Sequence, residues 1–213
     1  MVESSRTYQA HEAPVQIRDQ AVWQSPDPKF CIDGNAFLVD SGITDVKSNE
    51  ILHLNAVRNC QMVKVAGGFE DGGDLVFVNT HMNHKLAPED DYVRGLQAEQ
   101  ILFWIKSKTR ESDRVFLMGD FNAEPDSPAY RLITEAGFKS SYKKIHGAEP
   151  EATFHHGLIA EFRDTDPPGT FDYIWIRGAV TPTSATLTGN QCHPNDSTIY
   201  PSDHFGLFCD YQL

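Results

Sequence analysis

Four short polar clusters in this chain could do chemistry together: Asn79-Thr80-His81, Gly119-Asp120-Phe121-Asn122, Phe171-Asp172-Tyr173-Ile174 and Pro201-Ser202-Asp203-His204. They bring two imidazoles, three carboxylates and two amides. Imidazole is the side chain that most readily takes and returns a proton near neutral pH. A carboxylate orients and charges such an imidazole, or holds a divalent cation. An amide donates to a phosphoryl oxygen. Each cluster alone also suits a polar turn at a strand end, or a Ser/Asp cap in the case of Ser202-Asp203.

Other polar residues carry less. His81 and His84 leave a strand at i, i+3 with no third or fourth ligand in view, so zinc is not expected there. His155 and His156 fall in a loop and read as solvated. Lys139, Lys143 and Lys144 form a small basic cluster, which reads as a solvated face. Trp104 and Trp175 could stack on a base, but Trp175 reads as core.

The elements that must position these residues are legible in the patterning. Val115-Phe116-Leu117-Met118 is a four-residue apolar run, the signature of a strand buried on both faces. It delivers Gly119, Asp120 and Asn122 at its C-terminal end, where open α/β sheets place ligand chemistry. Leu75 to Thr80 is a second such strand and delivers His81. Asn35 to Asp40, Ile51 to Leu54 and Gln61 to Ala66 read as further strands, with a Gly-rich hairpin loop over Gly67 to Asp74. Thr170 to Arg177 alternates, with Asp172 on the face of Ile174 and Ile176. A carboxylate on that face must either meet water at an edge or find a polar partner such as a histidine. Phe205 to Tyr211 is the last strand, with Phe205, Leu207, Cys209 and Tyr211 on one face.

Two helices interleave with the strands. Pro88, Asp90 and Asp91 suit an N-terminus, and Ala98, Ile101, Leu102 and Ile105 form one apolar face. The second helix has Ser127 as N-cap, Pro128 at its first position and Gly137 as its stop. Gly147 to Gly169 and Gly189 to Pro201 read as surface loops. The segment 1–28 reads as irregular, and 29–213 as one domain. The class is α/β or α+β with a sheet-based core.

Bulk properties narrow the field. The chain has 213 residues, 40% of them hydrophobic, and a net charge of -12; its mean hydropathy is -0.41. No run is long and apolar enough for a membrane helix, and no secretory signal is visible, so an intracellular setting, cytoplasmic or nuclear, is expected. Cys31, Cys60, Cys192 and Cys209 are widely spaced and read as free thiols, with Cys60 and Cys209 in strands as core residues. An acidic body repels nucleic acid, though a divalent cation can neutralise the site locally.

The four clusters, in this order and behind long apolar strands, resemble the endonuclease/exonuclease/phosphatase superfamily with its deoxyribonuclease-I-like fold. The resemblance runs from about Asp33-Gly34-Asn35 to the C-terminus. It implies two packed β-sheets flanked by helices and a Mg²⁺- or Mn²⁺-dependent phosphoesterase acting through activated water. His204 matches the family's general base and Asp172 the carboxylate that orients it. Asp120 matches the carboxylate that positions the nucleophile and contacts metal, and Asp203 a carboxylate at the metal end of the site. Asn122 matches the amide that binds phosphoryl oxygens, and His81 the histidine at the scissile phosphate. Family members act on DNA, RNA and small phosphodiesters, and the choice among these stays open.

The family's usual opening motifs are an Asn-bearing strand and a strand ending in Gln-Glu, and neither is found before Asp33. The expectation is therefore a sandwich incomplete at its N-terminus. The alternatives are a catalytically weak or inactive member acting as a binding module, and an unrelated α/β binding domain.

Overall fold

The computed structural model describes residues 8–12, 35–40, 45–55, 57–84, 87–155 and 167–213. Its centre is a six-stranded sheet in the order β3-β4-β5-β6-β8-β7. The strands are β3 (Val46–His53), β4 (Asn59–Ala66), β5 (Asp74–His81), β6 (Arg114–Asp120), β7 (Lys139–Ser140) and β8 (Asp172–Arg177). Among the described strands, only β5 and β6 run parallel. The crossover between them is the helix α1 (Pro88–Lys108), and α2 (Pro128–Glu135) follows β6. A two-stranded sheet, β9 (Thr181–Thr188) with β10 (Gly206–Gln212), accompanies the second face. A separate ribbon pairs β1 (Tyr8–Glu12) with β2 (Ala36–Asp40). This is the expected mixed α/β architecture, a large and a smaller sheet with helices alongside.

Strand alternation sorts the two faces of the large sheet. Val76 and Val78 of β5, Val115 and Leu117 of β6, and Tyr173 and Trp175 of β8 are buried together with Ala98, Ile101 and Ile105 of α1 and Ala129, Tyr130 and Ile133 of α2. The opposite face gathers Phe116, Ile176 and Val180, with Leu75, Phe77, Met118 and Tyr211 against them. Phe77 and Phe116 stack at 5.1 Å, and Tyr211 meets Phe116 edge-on at 5.0 Å.

Several expectations hold at the level of single residues. Ser127 caps α2, its hydroxyl accepting from the Tyr130 amide, and Pro128 opens the helix. Trp175 is core, and Trp104 of α1 is partly buried against the same core cluster. Phe103, its neighbour, is exposed. Cys60 is fully buried, Cys209 is half-buried, and both are free thiols, as is Cys192. No described helix is long and apolar enough to cross a membrane.

Other expectations are corrected. Tyr8–Glu12 is a strand inside the segment read as irregular. It was missed because its order comes from pairing with β2, register Tyr8↔Asp40, and not from its own polar composition. The other residues of 1–28 lie outside the described residues, as do Cys31, Asp33, Gly34 and His156. The strand β9 was not expected, because its Thr-Pro-Thr-Ser-Ala-Thr-Leu-Thr sequence buries only Pro182 and Ala185. The short helix α3 (Ser141–His146) was also missed; Ser140 caps it and Gly147, at φ 83°, ends it. The loop read over Gly147 to Gly169 is not all surface, since Thr153 and Phe154 are buried.

Gly119 is a point of close approach in the sheet. Its φ is 125°, inside strand β6 and open only to glycine at low cost. A Cβ there would collide with the Thr80 carbonyl oxygen on β5 and approach Asn79 Oδ1. Gly119→Ala is expected to destabilise the fold by about 1–3 kcal/mol from backbone strain, with more from prising β5 and β6 apart. Equilibrium urea unfolding measures this; an unchanged midpoint and slope would remove the close approach as a constraint.

Candidate active site

Register builds the site. His81 of β5 pairs with Asp120 of β6, and Asp120 pairs with Asp172 of β8. Three ends of interior strands thus lie side by side at one end of the sheet. By alternation their side chains share the face of Phe77, Phe116 and Ile176, away from the helices.

The last member arrives from a loop. His204 precedes β10 and bridges to Phe154, whose ring lies 5.1 Å from its own. Thr153 fixes this junction. Its hydroxyl accepts from the amides of Phe171 and Asp172, and its carbonyl accepts from the Phe205 amide. One buried residue therefore anchors both the start of β8 and the approach to β10. The sequence offered no signal for it, because an isolated Thr in a Pro- and His-rich segment looks like any other loop residue.

His204 Nδ1 lies 2.8 Å from Asp172 Oδ2, and His204 Nε2 lies 4.0 Å from Asp120 Oδ2. His81 Nε2 lies 3.4 Å from the same Asp120 oxygen. Ligand atoms of Asp120, Asp172 and His204 all fall within 4.8 Å of one another. The four side chains are 17–35% exposed, open enough for a solute and dry enough for strong electrostatics. Asn122 sits at φ 49°, its amide N–H donating to Asp120 Oδ1 and its side-chain amide to the Met82 carbonyl. Asp203 stands apart from this group. It is exposed, and its carboxylate accepts from the Ser202 hydroxyl.

The segment carrying His81 and His84 is held from two sides that sequence reading missed. Arg58 places Nη1 2.8 Å from His81 Nδ1 and Nη2 3.1 Å from His84 Nδ1. From α1, Gln97 accepts the Asn83 amide, Arg94 donates to the Asn83 carbonyl, and Asp90 accepts from the Asn83 side chain. The buried stripe of α1 is thus polar where it meets this segment (Arg94, Gln97) and apolar below it (Ala98, Ile101, Ile105). A signal for the clamp existed: Arg94 and Gln97 continue the apolar face of α1 by one turn, so they had to be buried.

The charges are unbalanced. Burial, reinforced by the Asp172 carboxylate, pushes the Asp120 carboxyl up to about 7, against the pull of His204, the Asn122 amide and Arg58. Burial alone would lower the His204 imidazole. The bond to Asp172 and the negative charges of Asp172, Asp120 and Asp203 outweigh it and push it up to about 9. Two carboxylates confined beside one imidazole hold more negative charge than the site neutralises. That donor set suits a hard divalent cation: Asp120 and Asp172 offer oxygen ligands, and positive charge there would relieve their repulsion.

In the metal-free protein, His204 is expected to titrate well above the ordinary imidazole value of 6.5. Asp172→Asn should move it back toward that value. NMR of the ring carbons reads both, and a wild-type midpoint at or below 6.5 would undo the Asp172 pairing. Since the folded state binds this proton more tightly than the unfolded chain, its stabilisation is complete below about 6.5 and fades as pH rises through 9.

The chain resembles known proteins along most of its length. Residues 11–204 match the endonuclease/exonuclease/phosphatase family. Nocturnin of Mus musculus is 36% identical over 156 residues, which cover 68% of this chain and 35% of that protein. The chain thus spans well under half the length of this relative. Among solved structures, the human Nocturnin catalytic domain with bound sulfate superimposes with a TM-score of 0.71 at 23% identity, over 96% of this chain and 72% of that one. TDP2 of D. rerio, solved with a single-strand DNA product, superimposes with a TM-score of 0.67 at 17% identity, over 97% and 78%. A family match across this much of the chain, with this fold beneath it, settles the relationship: the chain belongs to the endonuclease/exonuclease/phosphatase family.

Proposed function

We propose that the protein is a Mg²⁺- or Mn²⁺-dependent phosphoesterase that hydrolyses a phosphodiester, with His204 taking the proton of the attacking water. The observation that carries this reading is the meeting of Asp120, Asp172 and His204 within 4.8 Å at one end of the sheet. Asp172 accepts from His204 Nδ1, which leaves Nε2 as the proton-accepting nitrogen, on the side of Asp120. Asp172 also stabilises the imidazolium that forms. Asp120 positions the water and, with Asp172 beside it, would hold the cation. Asp203 adds negative charge to His204 from outside this group. Asn122 and His81 flank Asp120 and would contact the phosphoryl oxygens. A bound cation would supply Lewis-acid polarisation and neutralise developing charge.

The proposed substrate class is nucleic acid, single-stranded by preference, or a small phosphodiester. The bound single-strand DNA product in the D. rerio TDP2 structure supports the first. The net charge of -12 disfavours tight duplex binding. A second reading, a catalytically silent binding module, is favoured by one observation. With its proton affinity raised to about 9, His204 is protonated at neutral pH until positive charge arrives.

Hydrolysis of bis(p-nitrophenyl) phosphate separates the two readings. Turnover should require Mg²⁺ or Mn²⁺ and vanish with EDTA. His204→Ala should lower it roughly 10²–10⁴-fold, the usual contribution of a positioned proton-transfer group. Absence of turnover from folded, metal-supplemented protein would favour the silent module. Undiminished turnover in the His204 variant would remove this residue as base.

A further inference from the structure

Arg58 is an arginine with 5% exposure beside a candidate active site, and the proposed reaction assigns it no part. Its place is fixed before its side chain begins. Asn55 Oδ1 accepts from the amides of Val57 and Arg58, and the Arg58 carbonyl accepts from the amides of Leu54 and Asn55. This closed turn sets Arg58 at the mouth of β4. Its guanidinium then forks, with one terminal nitrogen on His81 and the other on His84.

The chemistry of that fork is one-sided. A guanidinium offers only N–H donors and keeps its charge at any physiological pH. Each imidazole nitrogen facing it must therefore be an acceptor, and in both rings that nitrogen is Nδ1. A neutral imidazole with Nδ1 unprotonated carries its proton on Nε2. His81 Nε2 is the nitrogen that faces Asp120, at 3.4 Å.

We propose that Arg58 is a positioning residue that locks His81 and His84 as Nε2–H tautomers, so that His81 enters the reaction as a hydrogen-bond donor and not as a proton acceptor. The assignment divides labour between the two histidines. His204, with Nδ1 on a carboxylate, is arranged to take a proton at Nε2. His81, with Nδ1 on a guanidinium, is arranged to present one. Arg58 acts through the imidazoles, because with 5% exposure its own guanidinium has little surface to offer a substrate. A lysine could not replace it, since one ammonium on a flexible stem lacks the planar fork that reaches both rings.

The donor role rests on the phosphoesterase reading; the tautomers do not, and the test keeps the two apart. Long-range ¹H–¹⁵N correlation spectra of the ¹⁵N-labelled protein report which ring nitrogen carries the proton. In the wild type, His81 and His84 should each show an unprotonated-type Nδ1 and a protonated-type Nε2, without averaging. In Arg58→Met both rings should shift toward averaged tautomers, and in Arg58→Lys at least one should. A wild-type His81 with its proton on Nδ1 overturns the proposal without any variant, so poor folding of Arg58→Met cannot shelter it. Variant spectra identical to the wild type also overturn it.

Kinetics then tests the catalytic half on bis(p-nitrophenyl) phosphate. Arg58→Lys should lower kcat at least about tenfold while KM changes less than about twofold. A rise in KM with kcat intact would instead make Arg58 a direct binder of the substrate phosphate and overturn the positioning role. If no variant or wild-type sample hydrolyses the substrate, the phosphoesterase reading fails while the spectra still decide the tautomers.

Discussion

The site exists because three strand ends stay in step. β5 and β6 run parallel with His81 opposite Asp120, and β6 and β8 run antiparallel with Asp120 opposite Asp172. Side chains alternate along a strand, so a slip of one residue in any of the three would turn its polar group toward the helices. There it would meet Val78, Leu117 or Trp175 in a dry core and be left without partners. The same alternation that buries Val115, Leu117, Tyr173 and Trp175 on one face thus delivers Asp120 and Asp172 to the other. Core and site are two readings of one register, and Gly119 permits it by letting β6 pass close to the Thr80 carbonyl.

That alignment carries an electrostatic cost. Two carboxylates on neighbouring strands repel, and partial burial denies them the screening that water gives. The protein offsets this locally. The Asn122 amide and Arg58 lower the carboxyl affinity of Asp120 for a proton, and His204 does the same while raising its own. The compensation is incomplete in both residues. A structure evolved only for stability would gain by replacing one of the pair with an apolar residue. Retention of both, facing the same imidazole, is the physical case for a site whose missing charge is supplied by what it binds.

Much of this was legible in the sequence, and what was not has a common cause. β6, β5 and the two long helices could be read because their signals are local: apolar runs, a Ser cap, a Pro start, a Gly stop. Asp172 could be placed on the Ile174 face because alternation is local too. Arg58, Thr153 and Asn83 could not be read, because each matters only through partners 7 to 52 positions distant. For Arg58 these are His81 and His84, for Thr153 Phe171, Asp172 and Phe205, and for Asn83 mainly Arg94 and Gln97 on the next helix, where only the burial of the helix residues left a trace. β9 escaped for a related reason. Its residues are mostly Thr and Ser, and it is a strand because β10 pairs with it from Leu207↔Leu187 outward.

The polar upper turn of α1 shows how tertiary demand overrides the helix's own economy. Burying an arginine and a glutamine where leucines would pack is expensive, and the cost falls with each group that finds a partner. Here the amide, carbonyl and side chain of Asn83 meet Gln97, Arg94 and Asp90 in turn, and Asp91 pairs with Arg94 from the helix surface. The return on that cost is order in the backbone between His81 and His84. Arg58 holds the two imidazoles from the sheet side, and α1 holds the peptide groups between them from the helix side. With both grips in place, the segment has one conformation in which His81 lies opposite Asp120. With either released, the strand end could fray as strand ends ordinarily do, and the register that aligns the carboxylates would end one residue before its histidine.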